Sequence, residues 1–215
     1  MTRINIGCGM SPTLGWVNHD NSKSLFLARL PGFATDALVL LGLVSQSTKN
    51  FVDFCRTHQI GFANAVKPLP YPDNSVEVIY ASHMLEHFDR READIFLAEA
   101  LRILVPGGIL RLAVPNVRFH VENYLRHKNA DQFVSDLNMS RLKPTGLPQH
   151  LRHLIVGARE HHWMYDDASL PELLTNHRFA NPVVMAAGET TIPDPGPLNL
   201  SERAPESLFV EARKT

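Results

Sequence analysis

The stretch Arg3-Ile-Asn-Ile-Gly-Cys-Gly-Met-Ser-Pro12 limits the fold more than any other part of the chain. Ile4 and Ile6 suit a buried strand. Gly7 and Gly9 then break it into a turn without Cβ atoms, so a ligand can lie against the main chain there. Further on, Gly15-Trp-Val-Asn-His-Asp20 reads as a second short strand ending in a carboxylate. Nucleoside-binding folds use that group to accept hydrogen bonds from ribose hydroxyls. The order fits a nucleoside site, although two glycines so placed also make an ordinary turn.

At 215 residues the chain fits a single domain, 1–215, and 44% hydrophobic with 20% charged residues is ordinary for a packed core. Phe33 to Val44 is the most apolar run, but Thr35, Asp36 and Gly42 interrupt it, so no membrane span is expected. The first residues read as strand instead of a basic and apolar leader, which predicts no export. Cys8 and Cys55 make no disulfide framework, and a reduced cytoplasm is the expected setting. A net charge of −1 gives no general reason to bind nucleic acid.

Residues 21–60 read as a helical insertion: Ala34 to Val44 as a buried helix, and a second helix beginning near Ser47 with Phe51, Phe54 and Cys55 on one face. It caps the core, covers a ligand or offers a dimer face. Gly61 to Ala65 suits a third strand, and Val76 to Ala81 a central one, with Ser82 as the N-cap of a short helix. Leu97, Ala100, Leu101 and Leu104 have helical spacing, and Pro106-Gly-Gly108 is the expected stop. Ile109 to Val114 is another core strand. Residues 117–165 read as a helical segment rich in His and Arg, Asp166 to His177 as a helix, Pro182 to Ala187 as a strand, Gly188 to Pro205 as a polar loop and Ser207 to Ala212 as a last strand. This alternation predicts an α/β fold, a mostly parallel sheet covered on both faces. The segments after the strands, Gly7 to Gly9, Asp20, Asn64, Ala81 to His83 and Pro115-Asn116, then meet on one rim.

Taken together, Ile4-Asn-Ile-Gly-Cys-Gly9, Leu69-Pro-Tyr-Pro-Asp-Asn-Ser75, His83-Met-Leu-Glu-His87 and Leu104-Val-Pro-Gly-Gly-Ile109 closely resemble the class I S-adenosylmethionine-dependent methyltransferases, in their small type-11-like branch. His161-His-Trp-Met-Tyr-Asp166 and Glu206 to Lys214 are similar to that branch as well. The resemblance implies a Rossmann-like, doubly wound, three-layer αβα fold with seven strands, the last antiparallel, and S-adenosylmethionine as cofactor. It implies that Gly7, Cys8 and Gly9 pass beneath the methionine and ribose and that Asp20 holds the ribose hydroxyls. Asn64 would lie near the adenine amino group, with Ala81, Ser82 and His83 along the methionine end. Two departures stand out. Asn5 occupies the place of a usual acid, and the segment from Gly9 to Asp20 is too short for the usual first helix.

A sulfonium methyl donor needs only water exclusion, alignment of the acceptor and, for a hydroxyl acceptor, a base. Imidazole suits that last task near neutral pH. His83 and His87, spaced i, i+4 on the expected helix, and His162, beside His161, Trp163 and Tyr165, are the candidate catalytic residues, although each could simply pack or cap. Tyr124 and Tyr165 are further acid-base candidates, with packing the commoner role. No carboxylate or cysteine stands at convincing spacing from His150, His153, His161 and His162, so no metal site is expected. Arg141, Lys143, Arg152 and Arg159 make a locally basic segment, either a solvated face or a seat for a phosphate or carboxylate on the acceptor. The expected activity is methyl transfer to a small hydroxylated acceptor, such as a sugar or natural-product intermediate, by a monomer or homodimer. A non-catalytic S-adenosylmethionine-binding module, and a protein or RNA acceptor, are the alternatives. An NAD-dependent oxidoreductase is disfavoured, since Met-Ser-Pro after Gly9 lacks the third glycine of the dinucleotide motif.

Overall fold

The computed structural model describes residues 2–139 and 160–215. They form a seven-stranded sheet built from β1 (Thr2–Ile6), β2 (Val17–Asp20), β3 (Gly61–Phe62), β4 (Val76–Ser82), β5 (Leu104–Pro115), β6 (Phe179–Met185) and β7 (Ser207–Lys214), in the order β3-β2-β1-β4-β5-β7-β6. The first five strands are parallel, and β7 runs antiparallel to both β5 and β6. This is the Rossmann-like arrangement that the resemblance implies.

The helices are α1 (Ser24–Leu27), α2 (Gly32–Leu40), α3 (Gln46–His58), α4 (Arg90–Ile103), α5 (Val117–His127), α6 (Ala130–Asp136) and α7 (Ser169–Asn176). Helix α4 begins with a capping box in which Asp89 and Glu92 satisfy each other's backbone N–H groups. Its stripe of Ala93, Phe96, Leu97, Ala100 and Ile103 is fully buried in the larger core. That core also takes Leu170, Leu173 and Leu174 of α7 and alternate residues of the strands, from Ile4 and Ile6 through Ile79, Leu110 and Leu112 to Val210. Successive side chains of a strand point to opposite faces, so Asn5, Tyr80, Arg111 and Glu211 fall on the other side.

There a loop and not a helix covers β4, β5 and β7: Ile192, Leu198 and Leu200 pack with Val78, Tyr80, Ile109 and Phe209. A buried ion pair fastens this roof. Arg111 Nη1 lies 2.6 Å from Glu211 Oε1, directly across β5 and β7, and the same guanidinium donates to the carbonyls of Glu189 and Leu200. Thr191 completes the site by donating its N–H and hydroxyl to Glu211. The apolar run in which Arg111 sits conceals its role.

Several expected boundaries move. Residues 34–44 do not form a buried helix: α2 ends at Leu40, with Leu40 89% and Leu41 70% exposed. Its apolar residues surround the helix instead of forming one stripe, so packing one side against α3 leaves the others in water. Helix α4 stops at Ile103, and Leu104 already pairs with Val76, so Pro106-Gly-Gly108 becomes a bulge inside β5 instead of a helix stop. The third strand is only Gly61–Phe62. Ser82 is not an N-cap: it is the last residue of β4, opposite Ala113.

Arg111→Met strands a buried carboxylate. It is expected to lower the unfolding free energy by about 3–5 kcal/mol in urea denaturation, and a loss under about 1 kcal/mol would contradict this role for the pair. Burial alone would raise the Glu211 pKa, but hydrogen bonds from Thr190, Thr191 and Arg111 hold it below the ordinary 4.5. Its stabilisation is therefore complete above that value and is lost as falling pH protonates it in the folded protein, so the urea midpoint should drop in acid less steeply for Glu211→Gln than for the native chain.

Candidate functional site

The glycine turn after β1 is held by its neighbour. Gly7 and Cys8 donate to the carbonyl of His19, and Gly9 N donates to Asp20 Oδ2 at 3.0 Å. Gly7 has φ +74°, and a Cβ there would stand 2.9 Å from the side chain of Met84. At Gly9 the position of a Cβ meets nothing within 4 Å, so the main chain there borders open space.

No helix separates β1 from β2, and side-chain amides do its work. Asn5 Nδ2 donates to the carbonyl of Ser11 and to Thr13 Oγ1. Asn18 accepts from Thr13 N and donates to the carbonyls of Thr13 and Trp16. A carboxylate at position 5 has no hydrogen to give to the Ser11 carbonyl, which is a structural reason for the amide.

Asp20 ends β2 with both oxygens engaged, Oδ2 with Gly9 and Oδ1 with Ser22 N at 2.7 Å. Each carboxylate oxygen keeps further acceptor capacity. A carboxylate beside main chain that borders open space is of the kind that accepts hydrogen bonds from ribose hydroxyls. Asn64 lies just past β3, where Oδ1 accepts from Val66 N. Ala81 turns into the larger core, which leaves only its backbone for a ligand.

Beyond β4 the chain does not enter the expected helix. His83 takes φ +48° while its N–H still donates to the carbonyl of Ala113, and only Leu85–His87 form a 3₁₀ turn. His83 and His87 therefore do not share a helix face. They meet through Glu86, which is wholly buried. His83 Nδ1 lies 3.3 Å from Glu86 Oε1, with His87 Nε2 and His161 Nε2 each 4.0 Å from the same oxygen. His83 Nε2 contacts Ser207 Oγ at 2.9 Å, and His87 Nδ1 contacts the Glu160 carbonyl at 3.0 Å.

Segment 161–163 docks here because the N–H groups of His162 and Trp163 donate to the Glu86 carbonyl. His161 is the imidazole that faces the carboxylate, while His162 is exposed. Burial lowers the His161 pKa, opposed by the charge of Glu86. The indole of Trp163 lies beneath Arg90, whose guanidinium carbon is 4.9 Å from the ring centroid. Burial pushes the Tyr165 hydroxyl up to about 12, which suits packing and not proton transfer near neutrality. Tyr124 packs against Phe133.

Sequence reasoning missed Glu86 as the hub. The signal was its place inside His83-Met-Leu-Glu-His87, but the partner His161 arrives from a distant segment. The basic residues Arg141, Lys143, Arg152 and Arg159, with His150 and His153, lie outside the described residues.

Residues 44–112 match the family described as a methyltransferase domain, a span from just before α3 into β5 that leaves out the glycine turn and Asp20. Among solved structures, a Thermotoga maritima S-adenosylmethionine-dependent methyltransferase, described as a possible histamine N-methyltransferase, aligns with a TM-score of 0.53. The identity is 14%, over 100% of this chain and 82% of that one. An S-adenosylmethionine-dependent methyltransferase from Methanosarcina mazei aligns with a TM-score of 0.52 at 15% identity, over 99% and 92%. At such identities the likeness is one of fold. No curated protein matches the sequence.

Burial, reinforced by the charge of Asp20, pushes the Cys8 thiol up to about 12 and Cys55 up to about 11. Both should therefore resist iodoacetamide in the native protein at mildly alkaline pH and react once it is denatured. Rapid alkylation of folded protein at Cys8 would show the glycine turn to be open.

Proposed function

We propose that this chain is a class I S-adenosylmethionine-dependent methyltransferase and that it methylates a hydroxyl group of a small acceptor, with His83 as general base. The observation that carries this reading is the convergence of imidazoles on Glu86, immediately beyond β4 and beside the glycine turn.

S-Adenosylmethionine supplies an activated methyl group when bound. In the proposed site Asp20 accepts hydrogen bonds from the ribose hydroxyls, and the main chain of Gly7, Cys8 and Gly9 runs under the ribose and methionine. Asn64 is assigned to the adenine side, and the backbone of Ala81 with Ser82 and His83 to the methionine side. Ser207 Oγ donates to the Glu202 carbonyl at 2.8 Å, so it accepts from His83 Nε2–H and leaves Nδ1 bare. In this reading His83 takes the acceptor proton, and Glu86, 3.3 Å from Nδ1, stabilises the resulting imidazolium, as a carboxylate does beside a catalytic histidine. His87 is held by the Glu160 carbonyl and fixes the cluster from its open side. His162, exposed beside Trp163, is assigned to the acceptor wall. The recessed position of His83 favours a small acceptor over a macromolecular one. Among the described residues no helix is long and apolar enough to cross a membrane.

Asp20→Asn should weaken S-adenosylmethionine binding about tenfold in isothermal titration, the scale of one hydrogen bond to a charged group. Unchanged affinity would remove Asp20 from the site. His83→Ala should lower kcat on a hydroxylated acceptor by about 10²–10⁴-fold, far more than it changes donor affinity. Donor binding without turnover across a broad acceptor panel would instead favour a non-catalytic module.

A further inference from the structure

Side chains from two separated segments turn hydrogen-bond acceptors toward a single point. Glu86 is 0% exposed, and neither carboxylate oxygen has a hydrogen-bond partner. The nitrogens around it do not supply the missing donors. The Glu160 carbonyl can only accept, so His87 Nδ1 carries a hydrogen, and in the neutral imidazole Nε2, directed at Glu86, presents a lone pair. By the Ser207 argument His83 Nδ1 is bare as well. His161 closes the arrangement with Nε2 at 4.0 Å from Glu86 Oε1. With these imidazoles neutral, the buried carboxylate lacks the positive charge that would compensate its burial.

We infer that Glu86, His87 and His161 form a binding site for a divalent first-row transition-metal ion. The donor atoms of these three residues all lie within 4.8 Å of one another. Tetrahedral ligands about 2.1 Å from zinc stand roughly 3.4 Å apart, so the two 4.0 Å separations need an inward shift of about half an ångström. Two imidazoles and one carboxylate suit zinc, iron or cobalt, whereas calcium and magnesium take oxygen ligands. The hydrogen bond from His87 Nδ1 to the Glu160 carbonyl is the outer contact that fixes a metal-ligating histidine in its tautomer. His87 is 32% exposed against 10% for His161, so the coordination sphere opens past His87 to water or to an oxygen of the acceptor. His83 lies outside this triad.

The site goes beyond methyl transfer, and its test needs no methyl donor. The full chain, stripped with a chelator, is titrated with Zn²⁺ by calorimetry and with Co²⁺ by visible absorption. Expected are one ion per chain and the intense visible bands of four- or five-coordinate cobalt. His161→Ala and His87→Ala should each bind at least about tenfold more weakly, while His127→Ala, an exposed histidine elsewhere, binds as the native chain does. Circular dichroism on each variant separates lost ligation from lost folding. Equal affinity in the native and His161→Ala chains, or no uptake by the native chain, overturns the site and leaves the methyltransferase reading standing.

Discussion

The contact between Arg111 and Glu211 sets the geometry on which the rest depends. Two opposite charges without access to water hold only in good geometry, and this pair stands directly across two strands, in step with their register. With that register, Ser207 falls opposite Pro115 at the start of β7 and within reach of His83. The same guanidinium ties down the loop over that face, so one arginine serves both as clamp and as cover.

On the ligand side the chain replaces a helix with amides. A helix after the first strand would bring aligned N–H groups and a positive end to the glycine turn. Here Asn5 and Asn18 fasten residues 11–16 by side-chain hydrogen bonds, and the turn takes its position from Asp20 and the His19 carbonyl. Attraction for an anionic or zwitterionic ligand from a helix end is therefore not available at this turn.

The fold was legible where periodicity is strong. The apolar stripe of α4 and the runs 76–81, 109–114 and 207–212 pointed to the right elements, whereas the punctuation at Pro106-Gly-Gly108 pointed to a helix stop where β5 has a bulge. What stayed hidden depends on distance or on context. Arg111 lies in a run that reads as apolar core, and its partner is strands away in sequence. His83 and His87 look like helix neighbours until the left-handed backbone at His83 separates them. Their common partner Glu86 was in plain view, but its role depends on His161, which no local pattern connects to it. The exposed apolar helix α2 was misread because composition suggests burial even where no single stripe exists to be buried.

The two margins of the sheet have a consequence of their own. Open strand edges invite pairing with foreign strands, and long, regular ones seed fibrils. One margin here is β3, only two residues long. The other, β6, is broken in register between Ala180 and Val183, where Asn181 takes a positive φ and Pro182 has no N–H to offer. Among the described residues one border is thus short and the other broken, features that discourage an added strand without closing the sheet into a barrel.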